Sequence, residues 1–251
     1  MTAGPGPDPE VSVADDKTSL AADIAERLVG AAEAALAERG RCHLVMTGGS
    51  MGSALIAALA ERDDRARVDW AQVDIWWGDE RYLPAGDPDR NDTQNDEAGL
   101  SGLGLDQARV HRIAGPDTSG SAEESADTYS AEVRGDGSGA FDVVILGVGP
   151  DGHVASLFPH HPAQRTTDAI AIAVHDSPKP PPDRVSLTFE CLERSREVWF
   201  VVAGSDKAEA VAAALTPGAD RWDVPASGPR GSDATRWLLD ADAAARLPER
   251  D

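Results

Sequence analysis

Four short apolar runs, CHLVM (Cys42–Met46), VDIWW (Val73–Trp77), FDVVILGV (141–148) and EVWFVVAG (197–204), each give way to a polar or glycine-bearing loop: TGGS, GDER, GVGPDGH and GSDK. Their apolar residues are contiguous rather than alternating, the pattern of strands buried on both faces of a parallel sheet. Helical segments fall between them. Residues 19–38 (SLAADIAERLVGAAEAALAE) carry apolar side chains at three- and four-residue spacing and stop at Gly40. SMGSALIAALAE, the acidic stretch 121–134 and SDKAEAVAAAL predict three more helices. Further strands are expected at ARVHRI (108–113), 169–174 and 184–188, the last two separated by SPKPPPD, and RWLLDADAAARL is expected to hold a final strand and helix. Proline, glycine and asparagine crowd 78–90, which reads as a loop.

Strands alternating with helices define the expected fold class, α/β: a single three-layer domain over 17–251 with a mostly parallel sheet flanked by helices. Residues 1–16, MTAGPGPDPEVSVADD, read as a disordered tail, without the basic and apolar segments of a targeting peptide. No apolar run approaches the roughly 18 residues that cross a bilayer, so a cytoplasmic chain is expected. The formal charge of −21, from 44 acidic and 23 basic residues, repels nucleic acid and anionic membrane, and neither is an expected partner. A monomer, at most weakly dimerising, is the expected state. Cys42 and Cys191 sit in apolar surroundings without ligand spacing, so neither a disulfide nor a metal is expected, and no cofactor. In so acidic a chain, an anion site must be built from local cations and backbone N–H groups.

Ligands of parallel sheets bind beyond the carboxyl ends of the strands, which directs attention to the four loops. Gly48, Gly49 and Ser50 stand between a strand and a helix start, where they form either an anion cradle or a serine-capped turn. Asp79, Glu80 and Arg81 make either a solvated charged loop or a rim on which Arg81 holds an anion. Lys207 falls in the first turn of its predicted helix, where a cation opposes the dipole. It is either a tolerated surface residue or one aimed at a ligand phosphate. Arg184, at a strand start, is less distinctive. Gly147, Gly149 and Gly152 spell GxGxxG, the dinucleotide spacing, but Pro159 and Pro162 interrupt the helix that such a site needs. The other reading of this loop is a glycine turn that presents His153 as a general base beside Asp151.

GVGPDGHVASLFP, with TGGS, GDERYLP, DRVSLT and GSDKAEAV in this order, closely resembles the 6-phosphogluconolactonases. The resemblance runs from about residue 20 to the last strand. It implies a Rossmann-like domain related to glucosamine-6-phosphate deaminase and ribose-5-phosphate isomerase, acting on the phosphosugar lactone 6-phospho-D-glucono-1,5-lactone. It implies His153 as base, with Gly48, Gly49, Ser50, Arg81, Arg184 and Lys207 around the substrate; Asp79 is added as a candidate from its place on the rim, and Asp151 as the acid that orients the imidazole. Two departures stand out: Met51-Gly52 where the family commonly has proline, and Glu193 near a usual asparagine. The deaminase branch resembles DGHIAFNEP and has a glutamate where this chain has Phe158, a side chain that cannot exchange a proton. A third reading, a sugar-phosphate sensor, would call for a basic DNA-binding segment that the sequence does not show.

Overall fold

The computed structural model describes residues 7–136 and 140–248. Its main element is a six-stranded sheet, parallel throughout: β1 (Glu10–Ala14), β2 (Cys42–Met46), β3 (Val73–Trp77), β5 (Val143–Leu146), β8 (Glu197–Val202) and β9 (Ala234–Asp240), in the order β1-β9-β8-β5-β2-β3. Every residue of β2, β3 and β5 is buried, as their unbroken apolar runs require. Helices α1 (Lys17–Arg39) and α2 (Gly49–Glu61) pack against each other, α1 also reaching β1, β2 and β9. Asp16 caps α1 by accepting from Ser19 N at 2.8 Å, and Gly40 ends it with φ +70°. α3 (Asn91–Glu97) packs on α2, and α6 (Ala208–Ala214) follows β8.

Three strands stand apart in a smaller antiparallel sheet, ordered β4 (Asp79–Arg81), β7 (Arg184–Leu187), β6 (Ala171–Val174). α4 (Ala122–Asp136) packs on β6 and β7 and reaches β3 through Tyr129, whose hydroxyl donates to Trp77 O at 2.9 Å. A short α5 (Phe189–Leu192) follows β7. This second sheet departs from the sequence reading: Asp79–Arg81 is a strand rather than loop, and the expected strands at 169–174 and 184–188 belong here, not to the parallel sheet.

Three further expectations are corrected. The tail expected over 1–16 contains β1, which pairs along its whole length with β9; residues 1–6 lie outside the described residues. A short strand flanked by acids and proline lacks the continuous apolar run that marks the central strands. ARVHRI meets the sheet through the single bridge Ile75–Val110, because Arg109 and His111 turn to the buried carboxylate of Asp74, at 3.0 and 3.1 Å. Finally, 241–246 form turns rather than a helix, and Asp240 accepts from Ala243 N at 2.7 Å.

Candidate active site

The strand order locates the site. From β2 the chain steps outward to β3, then returns to place β5 on the other side of β2, so the connections after β2 and β5 diverge. Such a switch point opens a crevice at the carboxyl ends of the strands. A cleft of about 290 Å³ lies here, lined by the loops after β2, β5 and β8, by β4 and β7, and by the segment before β7.

The loop after β5 carries the histidine. Gly149 N donates to His153 O at 3.0 Å and Gly152 N to Gly149 O at 2.9 Å, closing a compact turn in which Gly152 has φ +82°. No helix follows; Val154 and Leu157 bridge instead, so the dinucleotide reading of GxGxxG fails on structure as well as on its prolines. The imidazole packs against the turn: a Cβ on Gly149 would stand 2.0 Å from His153 Cε1 and Nδ1 and 2.5 Å from Asp151 Oδ1. His153 Nδ1 is 2.5 Å from Asp151 Oδ1, and its ring rests on buried Phe158 with centroids 4.6 Å apart. Since an ionised carboxylate only accepts, it is the Nδ1 hydrogen that His153 donates to Asp151. Burial works to raise the Asp151 carboxyl, but its bond to His153, the imidazole charge and Lys179 outweigh it and hold the group well below the usual carboxylate range. Asp151 is not among the residues that line the cleft, and it meets the cleft through its contact with His153.

Across the cleft, Gly48 and Gly49 open α2. Gly48 caps the helix without a side-chain bond, and a Cβ on it would collide with Asn91 Oδ1 at 1.8 Å, so only glycine admits this approach of helix and α3. Gly52 is equally constrained, since its Cβ would fall 2.2 Å from Thr47 O. Ser50 lines the cleft beside these N–H groups, leaving both the anion cradle and the turn role compatible with its place.

Two of the three charged residues of β4, Asp79 and Glu80, are buried, and Arg81 is half-buried. Glu80 is buried and accepts from Arg81 N, Asn91 N and Asp92 N at 2.8, 2.7 and 2.9 Å, joining β4 to the N terminus of α3. Burial pushes its carboxyl up to about 8, against the pull of Arg90, with Asp92 adding to the rise and the backbone donors opposing it. Asp79 accepts from Ser156 Oγ at 2.6 Å and Asn91 Nδ2 at 3.2 Å, so much of its capacity serves the fold. Arg81 donates to Asp89 O, while its Nε is buried without a partner among the described residues. Arg184, 4% exposed, donates to Lys179 O, Pro180 O and Pro181 O at 3.0, 3.1 and 3.2 Å. Lys207 ends a 3-10 turn at 205–207 and is the N-cap of α6 rather than a residue of its first turn, with Nζ 2.5 Å from Asp206 Oδ2.

Thus Gly48, Gly49, Ser50, Asp79, Arg81, His153, Arg184 and Lys207 come together on one cleft. Sequence reading missed Asn91 and Lys179, which line it too. Of the three lysines in the chain, two stand here, so four cations, Arg81, Lys179, Arg184 and Lys207, surround a cleft in a chain of charge −21. Lysine scarcity was the available signal, but Lys179 sits in a proline-rich connector rather than on a parallel-strand loop.

Fold and cleft define an α/β protein of the class that receives small ligands at a topological switch point. The chain belongs to the glucosamine-6-phosphate isomerase/6-phosphogluconolactonase family, whose model matches residues 15–237. It is 48% identical over 249 residues to a 6-phosphogluconolactonase of Streptomyces coelicolor, covering 96% of this chain and 95% of that one. It is 44% identical over 245 residues to that of Mycobacterium tuberculosis, covering 95% and 98%. The solved 6-phosphogluconolactonase of Trypanosoma brucei superposes with a TM-score of 0.83 at 25% identity, over 96% of this chain and 99% of the other. A monomeric glucosamine-6-phosphate deaminase, at 19% identity and a TM-score of 0.79 over 94% and 99% of the two chains, shares the fold. No helix among the described residues is long and apolar enough to cross a membrane.

Proposed function

We propose that this chain hydrolyses 6-phospho-D-glucono-1,5-lactone to 6-phospho-D-gluconate, with His153 as general base. The observation that carries the reading is the Asp151–His153 contact at 2.5 Å on a histidine that lines the cleft. Nε2 takes a proton from water as the water oxygen bonds to C1 of the lactone. The carbonyl π pair moves onto oxygen, and the surrounding cations favour that developing charge. Collapse re-forms the carbonyl, breaks the ring C–O bond and leaves an alkoxide, to which the imidazolium returns the proton.

The substrate phosphate is assigned to the N terminus of α2, with Gly48, Gly49 and Ser50, and to Lys207 and Arg81. The buried Nε of Arg81, without a partner among the described residues, supports this, because such a donor costs about 1–3 kcal/mol unless a ligand answers it. Asp79 and Arg184 hold the second sheet in place and offer their remaining groups to sugar hydroxyls. The relatives named 6-phosphogluconolactonase over nearly the full chain support the substrate. Phe158 speaks against deaminase chemistry: ring opening and proton transfer between carbons need a further acid/base group, and Phe158 is buried against the imidazole instead. The reading takes the enzyme as cytoplasmic and as a monomer that at most dimerises weakly.

The test generates lactone from glucose 6-phosphate and detects 6-phosphogluconate promptly, with spontaneous hydrolysis subtracted. His153→Ala is expected to lower kcat by about 10²–10⁴-fold with KM within about threefold. Wild-type turnover no faster than the spontaneous reaction, or an undiminished kcat in the variant, overturns the reading.

A further inference from the structure

The chain has few lysines, yet Lys179 places its ammonium against both members of the dyad. Nζ is 3.2 Å from Asp151 Oδ1 and 3.2 Å from His153 Nδ1. An ammonium only donates, and Nδ1 cannot at once donate to Asp151 and accept from Lys179. Asp151 Oδ1, the nearer partner of Nδ1 at 2.5 Å, can accept from both. Lys179 and the imidazole N–H therefore converge on one carboxylate oxygen.

We propose that Lys179 is a positioning residue for this dyad: its ammonium fixes Asp151 as acceptor of the Nδ1 proton, and its charge opposes protonation of the imidazole, leaving Nε2 available to water. The proposal rests on the reading of His153 as base. A bare carboxylate beside an imidazole favours the imidazolium; a cation on the same oxygen offsets that attraction.

The fold holds the lysine there deliberately in one physical sense. Residues 179–181 belong to no helix or strand, and the buried Arg184 guanidinium at the start of β7 donates to all three of their carbonyls. Ser177 Oγ donates to Lys179 O as well, at 2.9 Å. A desolvated arginine is costly to bury, and here it orders the backbone that carries Lys179. Among the described residues, the other charged groups that line the same cleft as the imidazole are Asp79 and Arg81 on β4, Arg184 on β7 and Lys207 before α6. Among the described residues, Lys179 is the cation in contact with the dyad.

The experiment compares wild type, Lys179→Met, Lys179→Gln, Lys179→Arg and His153→Ala in the full chain, following kcat and KM on the lactone from pH 5 to 8. Lys179 is 40% exposed, so the interaction is largely solvent-screened. Its removal is expected to move the acidic limb of kcat/KM up by about half to one pH unit. At the acid end this appears as a loss of about three- to tenfold that closes toward pH 8, with KM within about threefold. Lys179→Arg restores the limb, and Lys179→Gln repeats Lys179→Met if either folds poorly. An unmoved limb, or a loss confined to KM, overturns the proposal. An active His153→Ala overturns the underlying reading instead, so the two failures are distinguishable.

Discussion

Replacing Gly149 by alanine isolates the geometry of the dyad from its chemistry. Gly149 does not have a positive φ, so alanine is free of backbone strain there and acts only through its methyl. That methyl would stand 2.0 Å from His153 Cε1 and Nδ1 and 2.5 Å from Asp151 Oδ1. Ordinary carbon contacts begin near about 3.5 Å, so the ring must retreat by about 1.5 Å. It has room to do so, because the His153 side chain is 17% exposed and borders an open cleft. Little stability is therefore lost, within about 1 kcal/mol, below the usual range for overpacking a closed core. The catalytic consequence is large, since a misplacement of about 1 Å costs about 10²-fold, or some 2.7 kcal/mol of transition-state stabilisation. The coupled lactone assay should thus show kcat down about 100-fold at nearly constant KM, with the urea midpoint close to wild type. A Gly149→Ala variant within threefold of wild-type kcat would refute the argument that the imidazole packed against the turn is the productive one.

Lys207→Ala should raise KM about tenfold with kcat nearly unchanged, as loss of a charge-assisted contact to the substrate phosphate implies; the reverse split would move Lys207 out of the phosphate site. Glu80 gives a pH signature in stability. Its folded-state carboxyl, pushed up to about 8 from an ordinary 4.5, binds its proton more tightly in the folded chain, so its contribution is full below pH 4.5 and is lost as pH rises through about 8. Urea unfolding of wild type and Glu80→Gln between pH 5 and 9 should therefore show wild type losing stability relative to the variant as pH rises, and parallel curves would contradict this.

The central strands were legible because their signal is local. CHLVM and VDIWW are unbroken apolar runs, and both appear as strands with the bounds that the runs have. The His153 turn was equally readable, since two nearby prolines forbid a long helix after Gly152 and the structure has none. GDER was not readable in the same way. Three consecutive charges look solvated until the N–H groups opening α3 and the side chain of Arg90 are brought to Glu80 by the fold. β1 escaped because an edge strand owes its structure to its partner β9, not to an apolar run of its own.

Sequence alone determined the alternation of strand and helix and the glycine turn that carries His153, which follow from periodicity, turn chemistry and residue type, all properties of neighbours along the chain. Phe158 bears on the choice between two sugar-phosphate chemistries only through the resemblance to the two branches of the family. Tertiary structure alone decided that β4, β6 and β7 form a second sheet, that Asp79 and Arg184 are partly bound into it, and that Lys179 reaches the dyad from 26 residues away. The reason is physical: hydrogen-bond capacity and charge are fixed by residue type, but which partner takes them up depends on contacts between segments distant in the chain.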